Sequence, residues 1–237
     1  MSYLELMGFG PRGWGAAMLA AAGTTVAVAV LGFLLGGVFG SLAAWAKIAG
    51  GRGVRLLADS YTTLLRGIPD LLVVYLLYFG GSAVLGSIAG LFGGGGFIGV
   101  PALATGALAL GIISGAYQAE VYRGAYLSLA RGEIEAARAV GMSRAVMARR
   151  IVGPQVLRYA VPGLGNVWQL VLKESALISV TGLIELLRQS QIGAGSTREP
   201  FPFYLTAAGL YLAITTVSGF GFGRLEARTL RPFRRPA

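Results

Sequence analysis

Arg131 to Pro154 reads RGEIEAARAVGMSRAVMARRIVGP and is the polar interruption of an otherwise apolar chain. Glu133 to Val140 consists of good helix formers, and Ile134, Ala137 and Val140 recur at i, i+3, i+6, which predicts a short amphipathic helix. Gly141 is the residue type that adopts a left-handed conformation cheaply, so the helix stops there. Ser143 is placed to cap a second short helix running through Val146 to Ile151. The two arms form a compact helix-turn-helix knuckle. Arg138, Arg144, Arg149 and Arg150 make its surface cationic, which suits cytoplasm rather than bilayer or periplasm.

Outward from the knuckle, both flanks are long enough to cross a hydrocarbon core of about 30 Å. On the N-terminal side, Gly13 to Ala46 carries no charge and predicts a first span. Gly32, Gly36 and Gly40 form a small-residue stripe on it that lets another helix approach closely. Lys47, Arg52 and Arg55 follow, then the partly amphipathic DSYTTLLRGIPD ending at Pro69-Asp70, read as cytoplasmic. Leu71 to Ala119 is again uncharged and allows two crossings, from Leu71 to about Leu85 and from about Pro101 to Leu129, joined by a glycine-rich outer loop near residues 80 to 96. On the C-terminal side, Arg158 to Ile184 predicts a fourth span whose backbone is expected to be irregular at Pro162, Gly163 and Gly165. GLIELLRQSQIGAGSTREPF reads as a short amphipathic helix and loop on the outer surface, and Pro200 to Gly223 as a fifth span.

With 237 residues, 55% of them hydrophobic and 13% charged, and a mean hydropathy of +0.68, the chain has the composition of an integral membrane protein. One all-α membrane domain of about five helices, covering residues 1–237, is the expectation. The formal charge of +10 does not point to nucleic acid, because the basic residues lie between apolar spans rather than on one accessible face. Apart from Arg12, Lys173, Arg188 and Arg198, every basic residue falls in an inner segment, which predicts an outer N-terminus and a cytoplasmic C-terminus. The opening MSYLELMGFGPRGWG has no basic cluster before its apolar run, so no cleaved leader is expected.

Several chemistries are excluded. With no cysteine and no histidine there are no disulfides, no thiolate nucleophiles, no common zinc sites and no Ser/His/Asp set. Neither Lys47 nor Lys173 follows a glycine-rich phosphate loop, so this chain binds no ATP or Mg of its own by that motif, and no cofactor is expected. Gly8, Gly10 and Gly13 match G-x-G-x-x-G but lead into a membrane helix instead of a βαβ unit.

Polar groups at membrane depth remain, and they are costly enough there to count as pathway candidates. Glu120 and Arg123, three apart, either pair with each other or serve a gate. Asn166, Gln169 and Lys173 fall at i, i+3, i+7 as one stripe, with Glu174 and Ser175 to its side. Such a stripe faces a water-filled pathway or a partner subunit rather than lipid.

Glu135-Ala136-Ala137, Gly141, Ile151 and Pro154 resemble the EAA loop of ABC-importer permeases of type I, with Gly153 where that pattern usually has leucine. YTTLLRGIPD, RYAVPGLGNVWQLVLKESALISVTGL and GSTREPFPFYL resemble the polar amino-acid branch, of the histidine/lysine/arginine and octopine/nopaline type. The resemblance implies a permease of the bacterial inner membrane. Its knuckle, through Glu133, Glu135, Ala136, Ala137, Gly141, Ile151 and Pro154, would dock as a coupling helix on a homodimer of ABC ATPase subunits that bind ATP and Mg. It also implies a second, related permease subunit, a periplasmic or extracellular solute-binding protein, and a polar, basic amino acid or opine as cargo. Some relatives carry an acid after the asparagine of G-N where this chain has Val167, so any carboxylate reading a cationic substrate is expected from the partner permease. Two other classes stand beside this reading: an ion-coupled secondary transporter or channel, for which no internal repeat is evident, and a membrane anchor, which has no use for the polar stripe.

Overall fold

The uncharged run that opens the chain folds as a single helix. In the computed structural model, which describes residues 3–11, 13–84, 87 and 101–230, every regular element is helical. After a short turn of helix, α1 (Tyr3–Leu6), α2 spans Gly15–Ala49, 35 residues or about 50 Å. It lies against α5 (Ala102–Leu127) in the most extensive helix pair of the fold. The small-residue stripe is the reason. A Cβ on Gly32, Gly36 or Gly40 would come within 2.5 Å of Leu110, 2.1 Å of Ser114 or 2.8 Å of Gln118. Gly111 and Gly115 of α5 answer in kind, meeting Leu35 and Phe39 at 2.7 and 2.8 Å. With the backbones this close, Ser114 and Gln118 of α5 donate to the Gly32 and Phe33 carbonyls at 3.3 and 2.9 Å.

Between them, α3 (Arg52–Gly67) is amphipathic and buries Ala58 and Thr62, and α4 begins at Asp70 after Pro69. The residue before a proline is driven out of helical geometry, and Ile68 is extended. The axes of Arg52–Gly67 and Asp70–Val84 therefore meet at 111°. Within α4 (Asp70–Tyr75) and its continuation the hydrogen bonds widen at Leu76–Gly80. The expected end of this span near Leu85 and the glycine-rich loop to residue 100 fall outside the described residues.

The C-terminal half departs from expectation in two places. The second arm of the knuckle is not a separate helix: α7 (Arg144–Met147) passes through a wide turn, Ala148–Val152, straight into α8 (Gly153–Glu174). Pro154 has no N–H to give to the preceding turn, which suits the widened spacing there. Nor is α8 irregular at Pro162, which sits inside continuous helix, while Gly163 and Gly165 give room to Val121 and Phe222. The irregularity comes later, as a tight turn at Ser175–Thr181 that ends on left-handed Gly182, φ 85°. α9 (Leu186–Thr197) is amphipathic as expected, with Arg188, Gln191 and Ile192 exposed on one face and the other face packed on the bundle. Leu186 and Ser190 are wholly buried, and Thr25 of α2 accepts the Leu186 N–H at 3.0 Å.

α10 (Pro200–Leu230) packs on α8 and α9 and leaves most of its length uncovered by the chain. The central core gathers Val28, Leu110, Ile113, Val171, Leu172 and Ile178, and the Trp168 ring meets Phe33 edge-on at 5.5 Å. By length and composition α2, α5 and α10 each suffice to cross a membrane, and the bent pair α3 and α4 makes a fourth crossing if counted as one. α8, at 22 residues, reaches about 33 Å and so has the length of a span where the fourth was expected, with polar side chains along it.

Candidate functional site

Three clusters of polar side chains lie along the bundle. At the knuckle, α6 (Arg131–Ala139) ends as anticipated: Gly141 has φ 76°, its N–H reaches the Arg138 carbonyl at 3.0 Å, and the Met142 N–H reaches that of Ala137 at 3.0 Å. Ser143 caps α7 by accepting the Val146 N–H at 3.4 Å. Of the face predicted for α6, only Ala137 is buried; Ile134 is half-buried, and Val140 is 74% exposed because the helix has already ended there. Glu133, Ala136, Ala137, Ile151 and Pro154 line one shallow groove of about 460 Å³ together with Val140 and Met142. Gln155 Nε2 donates to Glu133 Oε2 across it. Glu135 is exposed outside this lining, and Gly141 sets the turn rather than the surface. Arg138, Arg144, Arg149 and Arg150 are all exposed around it.

One helix-length along α5, Glu120 does not simply pair with Arg123. That contact exists at 3.4 Å, but the other carboxylate oxygen accepts from Lys47 Nζ at the end of α2. Lys47 also binds Asp59 at 3.0 Å and donates to Thr62 Oγ1 at 2.6 Å, both on α3. Lys47, Asp59 and Thr62 were absent from the sequence-derived set, since a lone lysine after an apolar run reads as an end-of-span marker.

Deeper in the bundle the predicted polar stripe divides. Asn166 and Lys173 are exposed and uncovered by their own chain, whereas half-buried Gln169 turns to α10 and donates to the Thr215 carbonyl at 3.3 Å. Ser175 is buried and spends its hydroxyl on the Leu172 carbonyl at 2.7 Å, a helix-end bond. Glu174 is 7% exposed, and no N–H donor of the described residues reaches its Oε2, its side-chain partner being the Asp70 carboxyl. Asp70, at the start of α4, lies beside it. Tyr117 of α5 sits in the field of both carboxyls and carries the Arg66 guanidinium over its ring, 5.5 Å from the centroid. Glu174 is buried and Asp70 half-buried, and two carboxyls this close repel unless a proton or a cationic group lies between them. Arg66, at the end of α3, and Asp70, at the start of α4, thus both belong to this cluster.

Long apolar helices around buried acids, with a basic grooved knuckle between α5 and α8, define a membrane transport subunit. The chain belongs to the family of binding-protein-dependent transport system inner membrane components, whose pattern it matches over residues 36–231. It is 60% identical over 235 residues, 99% of both chains, to the octopine transport system permease protein OccQ of Rhizobium meliloti. It is 38% identical to the histidine/lysine/arginine/ornithine transport system permease protein HisQ of Escherichia coli K12, over 91% of this chain and 94% of that one. A crystallised amino acid ABC transporter with histidines shares 31% identity and a TM-score of 0.76 over 91% of this chain and 95% of its own. An inward-facing MetNI methionine ABC transporter, at 18% identity over 91% of this chain and 93% of its own, shares the fold with a TM-score of 0.63.

Proposed function

We propose that this chain is the permease subunit of an ATP-driven importer of basic amino acids or opines. The observation that supports the substrate class is the carboxyl pair of buried Glu174 and half-buried Asp70, in a chain 60% identical to an octopine permease. Asn166 and Lys173 extend the pathway along the uncovered face of α8, against which a second, related permease subunit completes the channel. Glu120 and its ion pairs lie on the cytoplasmic side of those acids.

The chain itself hydrolyses nothing. A homodimer of ATPase subunits, holding ATP and Mg, seats its surface groove over the knuckle, where Glu133, Ala136, Ala137, Ile151 and Pro154 form the contact and Glu135 and Gly141 shape it. A solute-binding protein delivers cargo from the outer side. α6 continues from α5 and leads through α7 into α8, so displacement of the knuckle by ATPase closure moves both helices that hold the pathway side chains, a rigid-body coupling. The membrane is the bacterial cytoplasmic one, with the N-terminus outside and the C-terminus inside.

The test is reconstitution of the chain with ATPase subunits, the second permease and the binding protein in proteoliposomes. ATP-dependent uptake of labelled arginine or octopine, with neutral amino acids excluded, is the expected result. Solute movement by this chain alone down an ion gradient would overturn it. A reporter fused after Ala237 is expected to be active only in the cytoplasm.

A further inference from the structure

The importer reading gives no task to Lys47, a buried cation with a side chain only 6% exposed. An ammonium withdrawn from water is unfavourable unless ion pairs and hydrogen bonds replace its hydration. Here the replacement comes from two different helices: Glu120 from α5, and Asp59 at 3.0 Å with Thr62 at 2.6 Å from α3. One nitrogen at the foot of α2 therefore joins three elements.

Its neighbours add direction to that junction. Glu120 lies seven residues before the end of α5, which leads by three residues into α6 of the knuckle. Asp59 and Thr62 lie on α3, which leads through Ile68-Pro69 to Asp70 at the start of α4. Lys47, Asp59, Thr62, Arg66, Glu120 and Arg123 surround a polar cavity of about 450 Å³, so the junction is not locked inside the apolar core. Beside this junction, the polar contacts by which α3 holds α5 among the described residues are a neutral bond, the Tyr61 hydroxyl donating to the Ile112 carbonyl at 2.7 Å, and Arg66 over the Tyr117 ring.

We propose that Lys47 is a positioning residue for transport: it binds α3 to α5, so that knuckle movement entering α5 reaches Asp70 and the acid pair through α3 as well as through α8. This rests on the importer reading, and the two fail separately. The experiment uses the full reconstituted complex, comparing ATPase activity with and without cargo-loaded binding protein, and cargo moved per ATP. Lys47→Met is expected to assemble with normal basal ATPase activity but to lose about fivefold or more of its stimulation and of cargo per ATP, the range of typical coupling between sites. Lys47→Arg, which can still bridge Asp59 and Glu120, restores most of both. A role in stability alone would lower the amount of complex and leave the ratio per complex unchanged. Wild-type stimulation and stoichiometry in Lys47→Met would overturn the assignment. Should Lys47→Met fail to assemble, Asp59→Asn, at a half-exposed side chain, decides in its place: a fall in cargo per ATP supports the assignment, and a wild-type ratio overturns it. If the wild-type complex shows no ATP-dependent uptake, the importer reading itself falls.

Discussion

Gly36 of α2 faces Ser114 of α5 so closely that a methyl group on the glycine would stand 2.1 Å from the serine Oγ and 2.7 Å from Gln118 Nε2. Nothing flexible lies on the far side: Ser114 is committed to the Gly32 carbonyl and Gln118 to that of Phe33. Gly36→Val is expected to destabilise the protein by about 1–3 kcal/mol or more through overpacking. Gly23→Ala, on the same helix with open space around it, should instead stabilise by about 0.5–1 kcal/mol. Thermal unfolding of the two variants in one detergent measures the difference.

Gly141 poses the opposite case. No atom lies within 4 Å of a Cβ placed there, so its requirement is the backbone angle alone, φ 76°. Gly141→Val should cost about 1–2 kcal/mol locally, and Gly141→Asn less, because asparagine tolerates the left-handed region. The expected signature is a loss of cargo-stimulated ATPase activity with the melting temperature of the bundle little changed. Unchanged stimulation in the valine variant would remove the turn from the coupling surface.

Glu174 and Asn166 separate recognition from lining. Glu174→Gln keeps the shape but can no longer ionise against a bound cation, and the loss of one charge-assisted contact, about 1.5–3 kcal/mol, predicts a rise in uptake KM of about tenfold or more. Asn166→Ala should impair transport with assembly intact. Uptake by the two variants against size-exclusion profiles of the complex checks both, and wild-type transport by Asn166→Ala would take it out of the pathway.

Glu185 closes the N-terminus of α9 by accepting from the Leu187 and Arg188 N–H groups at 2.8 and 2.7 Å and from the Tyr211 hydroxyl at 3.1 Å. Glu185→Ala leaves these buried donors unpaired and should destabilise the protein by about 1–3 kcal/mol, while Glu185→Gln keeps an acceptor and loses less. Chemical or thermal unfolding in detergent ranks the three proteins.

Which parts were legible in the sequence follows from how far apart their determinants lie. Gly32, Gly36 and Gly40 announced a close helix contact, and Gly141 a helix stop, because one residue type answers a local requirement. The spaced set from Glu135 to Pro154 likewise marked a knuckle, and most of it does gather around one groove. Lys47 and Glu120 are 73 residues apart, and no spacing rule connects them. The same holds for Asp70 and Glu174, brought together only by the bend after Pro69 and the packing of α4 between α5 and the turn beyond α8. Pro162 misled for a related reason: a proline weakens a helix in isolation, yet Ala160 and Val161 before it and Leu164 after it are buried against the bundle, which holds the rod on both sides of it.

That rod sets the gain of the device. With a length of about 33 Å from foot to tip, α8 converts a tilt of about 10° at Gly153 into a swing of about 6 Å at Glu174. A shift of that size is wider than the reach of any single hydrogen bond, so in the proposed importer a modest rotation at the foot of α8 would withdraw Glu174 from a bound cation.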